Sequence, residues 1–343
     1  MFKKITTLFI LSSCYYAHSD EITVADDHAP ISIMSDHMHK KNEFMFSYRL
    51  SSMIMSGLSN GTSSISIEDT MTNPNGSSFN KGSYMNAPVS MNMSMHMFGM
   101  MYAPSDYFTF LIMSNYQQKE MTQQRMKMSG GARFNINSHG FGDLLLGGMF
   151  GIKNNKNLKM HLGFGLSFPT GSISKKDQTP TGSNKKLGYS MQNGSGTYDP
   201  YILLNILKNI DKIKYGAQFF FKFRPGDSNK YGYKYGNFLD TNIWTSYNFI
   251  HFFSSSLKIS FKNLNQMKGQ DDQLNSRMSP AMDAGNIGYT KVLLGLGFNF
   301  INKNSFLNNQ RFAIEVIKPI YEKYNRIQMK QDFKIILGLQ YAL

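Results

Sequence analysis

The sequence has no apolar run approaching the ~20 residues that a membrane-crossing helix needs, which excludes a helical membrane protein. It does not exclude a membrane barrel, whose strands average to polar because half of each faces the lumen. Cysteine is almost missing: Cys14 is the only one in 343 residues. It falls in a stretch that has the form of an export leader. Met1-Phe2-Lys3-Lys4 is a basic start, Ile5 to Ala17 a short apolar core, and Ala17-His18-Ser19 an acceptable cleavage site. Residues 1–19 are therefore expected to be a signal peptide, and the mature chain to have no disulfide or thiol chemistry. Leu11-Ser12-Ser13-Cys14 also fits a lipoprotein pattern, which would make Cys14 a lipidated terminus. Acid is scarce too, with 22 Asp and Glu against 36 Lys and Arg and a formal net charge of +14. A basic excess can mean nucleic acid, but an exported chain does not meet it. Outer-membrane lipid, lipopolysaccharide and small anionic solutes are the expected partners. Also missing are G-x-S-x-G, H-E-x-x-H and any phosphate loop. Gly163-Phe164-Gly165 is strand glycine, and the Ser94/His96 and Ser167/His161 pairs are ordinary for a polar face, so no enzyme and no obligatory cofactor is expected.

What is present is alternation. Aromatics make up 14% and there are 29 glycines, both suited to strands joined by tight turns. The last stretch sets Phe333, Ile335, Leu337, Leu339, Tyr341 and Leu343 against Lys334, Ile336, Gly338, Gln340 and Ala342. Period-2 alternation marks a strand between two environments. A bare apolar end strand invites aggregation unless it is paired; here it is expected to close a cylinder against the strand near Phe44–Leu50. Leu158 to Phe168 alternates as cleanly, and so do residues 215–224 and 291–300. Connections are expected to be long at 56–87, 118–141, 169–195, 225–236, 264–287 and 319–330. They are expected to be short at 103–106, 153–157, 208–212, 250–253 and 302–310. Arg125–Asn137 is also compatible with strands extended past the membrane. A long/short rhythm belongs to outer-membrane barrels, which have long outside loops and short periplasmic turns. The expected fold is all-β: an antiparallel transmembrane β-barrel of about 12 strands over 43–343, both termini periplasmic. Residues 20–42 are expected to form a solvated periplasmic N-terminal segment.

Several turn and strand-end stretches carry a family resemblance. They are Asp36-His37-Met38-His39-Lys40, Met101-Tyr102-Ala103-Pro104-Ser105-Asp106, Gly140-Phe141-Gly142-Asp143, Leu162 to Ile173, and Gly194-Ser195-Gly196-Thr197-Tyr198-Asp199. On these the chain resembles the outer-membrane transporter-like proteins named after the meta-pathway of phenol degradation, distant relatives of the long-chain fatty-acid transporters. The resemblance covers nearly all of the mature chain and implies a barrel in the bacterial outer membrane, but no substrate. The chain departs from the usual aromatic last residue, ending in Leu343 with Tyr341 two before it.

Functional expectations follow from the inward faces. Arg49, His96, Lys159, His161, Lys222, Arg224, Lys258, Lys262, Lys291 and Lys334 are expected to line the lumen, with Arg311. They outnumber Asp199, Asp240 and Glu315. Such a lining would favour anions in a water-filled pore, or else pair with acids and fill a narrow barrel. The first reading is a passive outer-membrane channel or transporter for a small solute. A second rests on 25 methionines and would have the protein handle copper or silver, since thioether and imidazole ligands suit Cu(I). Its candidate ligands are His37, Met38 and His39, taken to be in water, with His96. In the run 91–101 the polar face of Asn92, Ser94 and His96 is expected in the lumen, and Met91, Met93, Met95 and Met97 on lipid. A third reading is a structural or receptor barrel whose long loops bind a partner.

Overall fold

The computed structural model describes residues 29–79, 82–302 and 310–343. The leader 1–19 with Cys14, residues 20–28 and most of the 302–310 connection lie outside the described residues. The chain forms a closed antiparallel barrel of twelve strands. The strands are β1 (Phe44–Asn60), β2 (Asn86–Ser105), β3 (Phe108–Arg125), β4 (Leu144–Asn154), β5 (Leu158–Phe168) and β6 (Asp199–Ile210). They continue as β7 (Ile213–Lys222), β8 (Phe238–Ile250), β9 (Phe253–Leu264), β10 (Tyr289–Asn302), β11 (Gln310–Tyr324) and β12 (Ile327–Ala342). Each strand pairs with its sequence neighbour, and β12 closes on β1 from Met45↔Ala342 to Asn60↔Ile327. Phe44 and Leu343 lock the seam by exchanging backbone bonds of 3.1 and 2.8 Å. Closure leaves no strand edge, the condition for a β structure to cross lipid. The terminal strand thus pairs where its alternation placed it.

The two faces separate as alternation requires. Phe44, Phe46, Leu162, Phe164, Leu294, Leu296, Leu337 and Leu339 are exposed on the outside, whereas Arg49, Ser51, His161, Lys291, Gln340 and Ala342 are buried within. On β2 the expectation was reversed. Phe98 is exposed while Met91 and Met101 are buried, so the odd residues Met91, Met93, Met95 and Met97 point inward. Asn92, Ser94 and His96 are on the outer wall. The cause is strand length. Strands β1, β2 and β3 run 17, 20 and 18 residues, where a tilted crossing needs ~9–11. Their outer face changes character at one level, where Leu50, His96 and Tyr116 stand side by side in register. On the short-turn side of it the outside carries Phe44, Phe46, Tyr48, Phe98, Phe108 and Phe110. On the other it carries Ser52, Asn92, Ser94, Gln118, Glu120 and Thr122. The upper parts of these strands stand clear of the apolar belt, with water outside and a packed interior. His96 marks the boundary, with Tyr48 Oη 2.8 Å from its Nδ1.

Other corrections are local. Residues 118–141 are a hairpin: β3 continues to Arg125 and Arg133–Phe141 pairs back on it. Within 56–87, β1 runs on to Asn60, Ser63–Ile65 folds back onto it, and a short helix (Ile67–Thr72) follows with Ser66 Oγ capping the Asp69 N–H at 3.0 Å. The 319–330 stretch is strand with a tight turn at 325–326. Pro319 within this strand cannot donate to a ladder. It is tolerated because the β11–β12 ladder stops at Ile317↔Lys334, and there is a bulge in β11 opposite Val292/Leu293. Glu322 then accepts the Gln331 N–H at 3.3 Å in place of a ladder partner.

Two glycines make room for large inward groups. Gly338 of β12 lies under Ile31, and Gly216 of β7 sits opposite Trp244, the single tryptophan. A Cβ on Gly216 would run into the indole. Gly216→Val should lower stability by roughly 1–3 kcal/mol, the usual cost of overpacking. The loss should shrink when Trp244→Ala is added. Urea unfolding of both single variants and the double in detergent checks this; strictly additive losses would show that the two positions do not compete for space.

Candidate functional site

Residues 29–39 do not trail into solvent. They form a strap inside the half of the barrel nearer the short turns, correcting the expectation of a solvated segment. Ala29, Ile31, Ile33, Ser35, Asp36 and His39 are each no more than 6% exposed. The sequence carries the reason in a short alternation, Ile31 and Ile33 with Ser32 between. Ile31 packs among Leu293, Ala313, Ile317 and Ile336, and Ile33 with Ala29 against Leu207 and Trp244. Burying two such side chains is worth roughly 1.5–3 kcal/mol each. Met34 and Met38 extend a third apolar cluster around Met45, Met101, Leu111 and Met113.

The strap makes little regular pairing of its own beyond a turn in which the Ile33 N–H reaches Pro30 O at 2.9 Å. Its carbonyls must therefore be met by the wall. Gln218 donates to Met34 O at 2.7 Å, His161 Nε2 lies 2.8 Å from Ser35 O, and Asn205 donates to Asp36 O at 2.8 Å. Arg311 donates to Ala29 O, and Arg49 to Ile33 O at 3.4 Å. Glu315 accepts the Ser32 N–H at 2.9 Å, and Lys258 reaches the Ser32 hydroxyl. Within the strap, Asp36 accepts the Ala29 N–H at 2.9 Å. Donors come from strands on all sides, so the strap is tied to the whole circumference. Arg49, His161, Lys258 and Arg311 are read in the sequence as pore lining, and the 215–224 alternation puts Gln218 inside; Asn205 and Thr109, whose hydroxyl accepts the His39 N–H at 3.3 Å, are not read so. Their only signal is a polar residue at an inward position.

Ten of the eleven expected lumen residues stand at inward positions; His96 does not. Four of their charges are matched. Lys258 pairs with Glu315 at 2.6 Å, Arg224 with Asp199 at 2.8 Å, Lys291 with Glu322 at 2.9 Å, and Lys262 with Asp240. Arg49, Lys159, Lys222, Arg311 and Lys334 have no ion pair among the described residues; Arg49 and Arg311 instead bond strap carbonyls. A cavity of about 100 Å3 remains between strap and wall, lined by Ser32, Met34, Tyr201, Gln218, Phe238 and Asp240 among others.

The metal expectation does not assemble as four ligands. The His37 and His39 rings lie 4.7 Å apart, but His37 Nδ1 is 2.9 Å from Asp36 and His39 Nδ1 3.2 Å from Glu43. Met38 turns to the apolar cluster and His96 is on the outer wall. Among the described residues no group of three or more His, Cys, Asp or Glu side chains could hold a metal ion.

The other half of the barrel is closed by long loops that fold inward. Leu187 and Met191, both fully buried, join Met91, Met121 and Ile136, with Met55 and Met329 packed alongside. Lys119 Nζ donates to Ser190 O at 3.1 Å and also to Gln192 O, and Ser138 to Met191 O at 2.7 Å. Tyr84 and Asn286 then tie loop to loop, with the Tyr84 hydroxyl donating to Asp283 at 2.7 Å. The lumen is thus stopped at both ends, by a polar-bonded strap below and an apolar methionine-rich seal above.

No family model matches the chain, and no curated protein matches it in sequence. Among solved structures, an outer-membrane channel from Pseudomonas putida F1 shares the fold with a TM-score of 0.61 and 9% identity, covering 91% of this chain and 99% of that one. A FadL homologue of Pseudomonas aeruginosa is more distant, with a TM-score of 0.38 and 8% identity over 88% of this chain and 90% of that one. The first likeness shows a barrel fold shared with that channel; the second is too low to add to it.

The base of the strap is acid-sensitive. Burial holds the His39 imidazole below its ordinary 6.5, against the opposing hydrogen bond to Glu43. Burial alone would raise the Glu43 carboxyl, but the bonds from His39 and the Lys40 N–H outweigh it and hold it below 4.5. Both groups bind fewer protons docked than free, so acid favours release. Docking should be strongest above pH 6.5, weaken as His39 begins to protonate, and weaken again below 4.5. Trp244 packs on Ala29 and Ile33, so its emission should shift red on acidification, and less steeply below pH 4.5 in Glu43→Gln. Emission that stays constant between about pH 7 and about pH 4 would contradict an acid-released strap.

Proposed function

We propose that the chain is an outer-membrane channel or transporter for a small solute, held shut in this conformation by its own N-terminal strap. Short-turn ends of such barrels face the periplasm, so the strap enters from that side and the long-loop seal faces outward. The observation that carries the reading is how the strap is held: side chains of the wall bond to its backbone. Those wall groups stay in place as polar pore lining when the strap leaves. The ion pairs on β8–β11 keep the inner wall polar without fixing a single solute, while Lys222 and Lys334, with Lys159, Arg49 and Arg311, leave it a positive excess. The kinship with the transporter-like proteins of the phenol meta-pathway is part of this proposal, as are export by the leader and residence in the outer membrane. Movement would be down a gradient.

The test is conductance in planar bilayers. Wild type should conduct weakly, and deletion of residues 20–36 should raise conductance several-fold. Lys222→Gln with Lys334→Gln in the deleted background should shift the reversal potential away from anions. If neither wild type nor the strap deletion conducts ions or passes solute, the channel reading fails.

A second reading is favoured by the corrected phase of β2. Met53 and Met93 stand opposite one another on the inner wall, with Met95 and Met97 following along the same face. Thioethers turned inward can meet a soft cation; thioethers on lipid cannot. Silver(I) titration of the whole protein would show saturable binding, lost when Met53, Met93, Met95 and Met97 are all changed to Leu. Equal binding by that variant would remove the soft-metal role.

A further inference from the structure

The outward-facing mouth contains a cavity that shares part of its wall with the seal and none with the strap. It has a volume of about 250 Å3, between the β3 hairpin extension and the loops around 179–187 and 273–282. Its apolar side is formed by Phe134, Ile136, Leu187 and Met282. Its polar side holds three cations, Arg125, Lys185 and Lys186, and no Asp or Glu. Lys186 is neutralised by Asp271, bonds Gln273 at 3.3 Å and lies 3.0 Å over the Tyr231 ring. Arg125 and Lys185 have no ion pair among the described residues. The acid nearest Lys185 in register is Asp177, which accepts the Asn137 N–H at 2.6 Å instead. A recess with an apolar wall, unmatched guanidinium and ammonium groups and no acid selects for negative charge carried on an apolar body.

We propose that this mouth cavity binds a small organic monoanion, its carboxylate between Arg125 and Lys185 and its apolar part on Phe134 and Ile136. The inference rests on the channel reading and narrows its solute class. Ile136 and Leu187 belong both to the cavity wall and to the methionine-rich seal. A bound solute therefore touches the outer surface of the closure that it must pass.

Hexanoate is a suitable probe, because it is short enough to stay largely outside detergent micelles. Calorimetric titration of the full-length solubilised protein should show saturable binding that weakens as salt rises. Arg125→Gln and Lys185→Gln should each weaken binding about tenfold or more, as for loss of a charge-assisted contact. Lys127→Gln, outside the cavity and paired with Glu68 at 3.1 Å, should leave it unchanged. Hexanamide, the neutral counterpart, should bind at least tenfold more weakly, and so should inorganic phosphate, which has charge without an apolar body. Four results would each overturn the proposal: no binding at millimolar hexanoate, undiminished binding by the double variant, equal binding of hexanamide, or equal binding of phosphate. Conductance is a separate readout. A conducting protein that ignores hexanoate defeats this inference alone, whereas binding without conductance defeats the channel reading.

Discussion

The structure depends on satisfying a stretch of backbone that has no partner strand. Residues 29–36 sit in the interior, where an unmet carbonyl costs roughly 1–3 kcal/mol. Each donor that meets one must come from the barrel wall. That requirement fixes the inward positions of Arg49, His161, Asn205, Gln218 and Arg311, on strands far apart in sequence but arranged round one circumference. It also sets how tightly the wall can close. Gly338 and Gly216 are bare because Ile31 and the Trp244 indole occupy the space their side chains would take. The strap and wall are one packing problem, although the strap lies outside the strand pattern.

Much of the barrel was legible. Strand β5 begins and ends at Leu158 and Phe168 as its alternation says, and the terminal strand finds β1 in the expected region. The strap was not legible, since polar residues at 36–41 hide the Ile31/Ile33 alternation, and nothing local distinguishes a solvated tail from one stored inside. The phase of β2 was misread for an instructive reason. Alternation gives the two faces of a strand but not which face meets lipid. Where a strand outruns the bilayer, its outside is water and its inside is packed under loops, so the apolar face becomes the inner one. Met91 to Met97 obey the same physics as Phe44 to Leu50; only the outer solvent has changed. The signal was present on β1 itself, where outer Tyr48 and Leu50 give way to Ser52 while inner Ser47 and Ser51 give way to Met53.

Charge counting misled in a similar way. A list of inward lysines and arginines suggests a strongly positive tunnel. Pairing is a property of neighbours across strands, which a linear sequence does not display. Lys258 and Glu315 are not even on adjacent strands, yet they meet across β10 at Gly295, where the absence of a side chain opens the way. What the lumen keeps is a smaller excess, at Lys159, Lys222 and Lys334 and at Arg49 and Arg311, which bond strap carbonyls rather than acids. The net charge of the chain is thus a poor guide to the field inside it, because much of the excess stands on loops and turns.

The two closures differ in chemistry, and this gives the molecule two independent sensitivities. The strap is held by hydrogen bonds and by a His39–Glu43 contact, so protons and ions act on it. The upper seal adds to the bonds from Lys119 and Ser138 a cluster of thioethers and aliphatic side chains, which an apolar solute can solvate. Methionine suits such a seal, since its unbranched, polarisable side chain can repack around a guest with little strain. A solute with charge at one end and an apolar body at the other would engage the mouth and the upper seal first, then the polar lumen that the strap vacates. On the proposed channel reading the two closures stand in series, and each must yield to a different property of the solute or its surroundings.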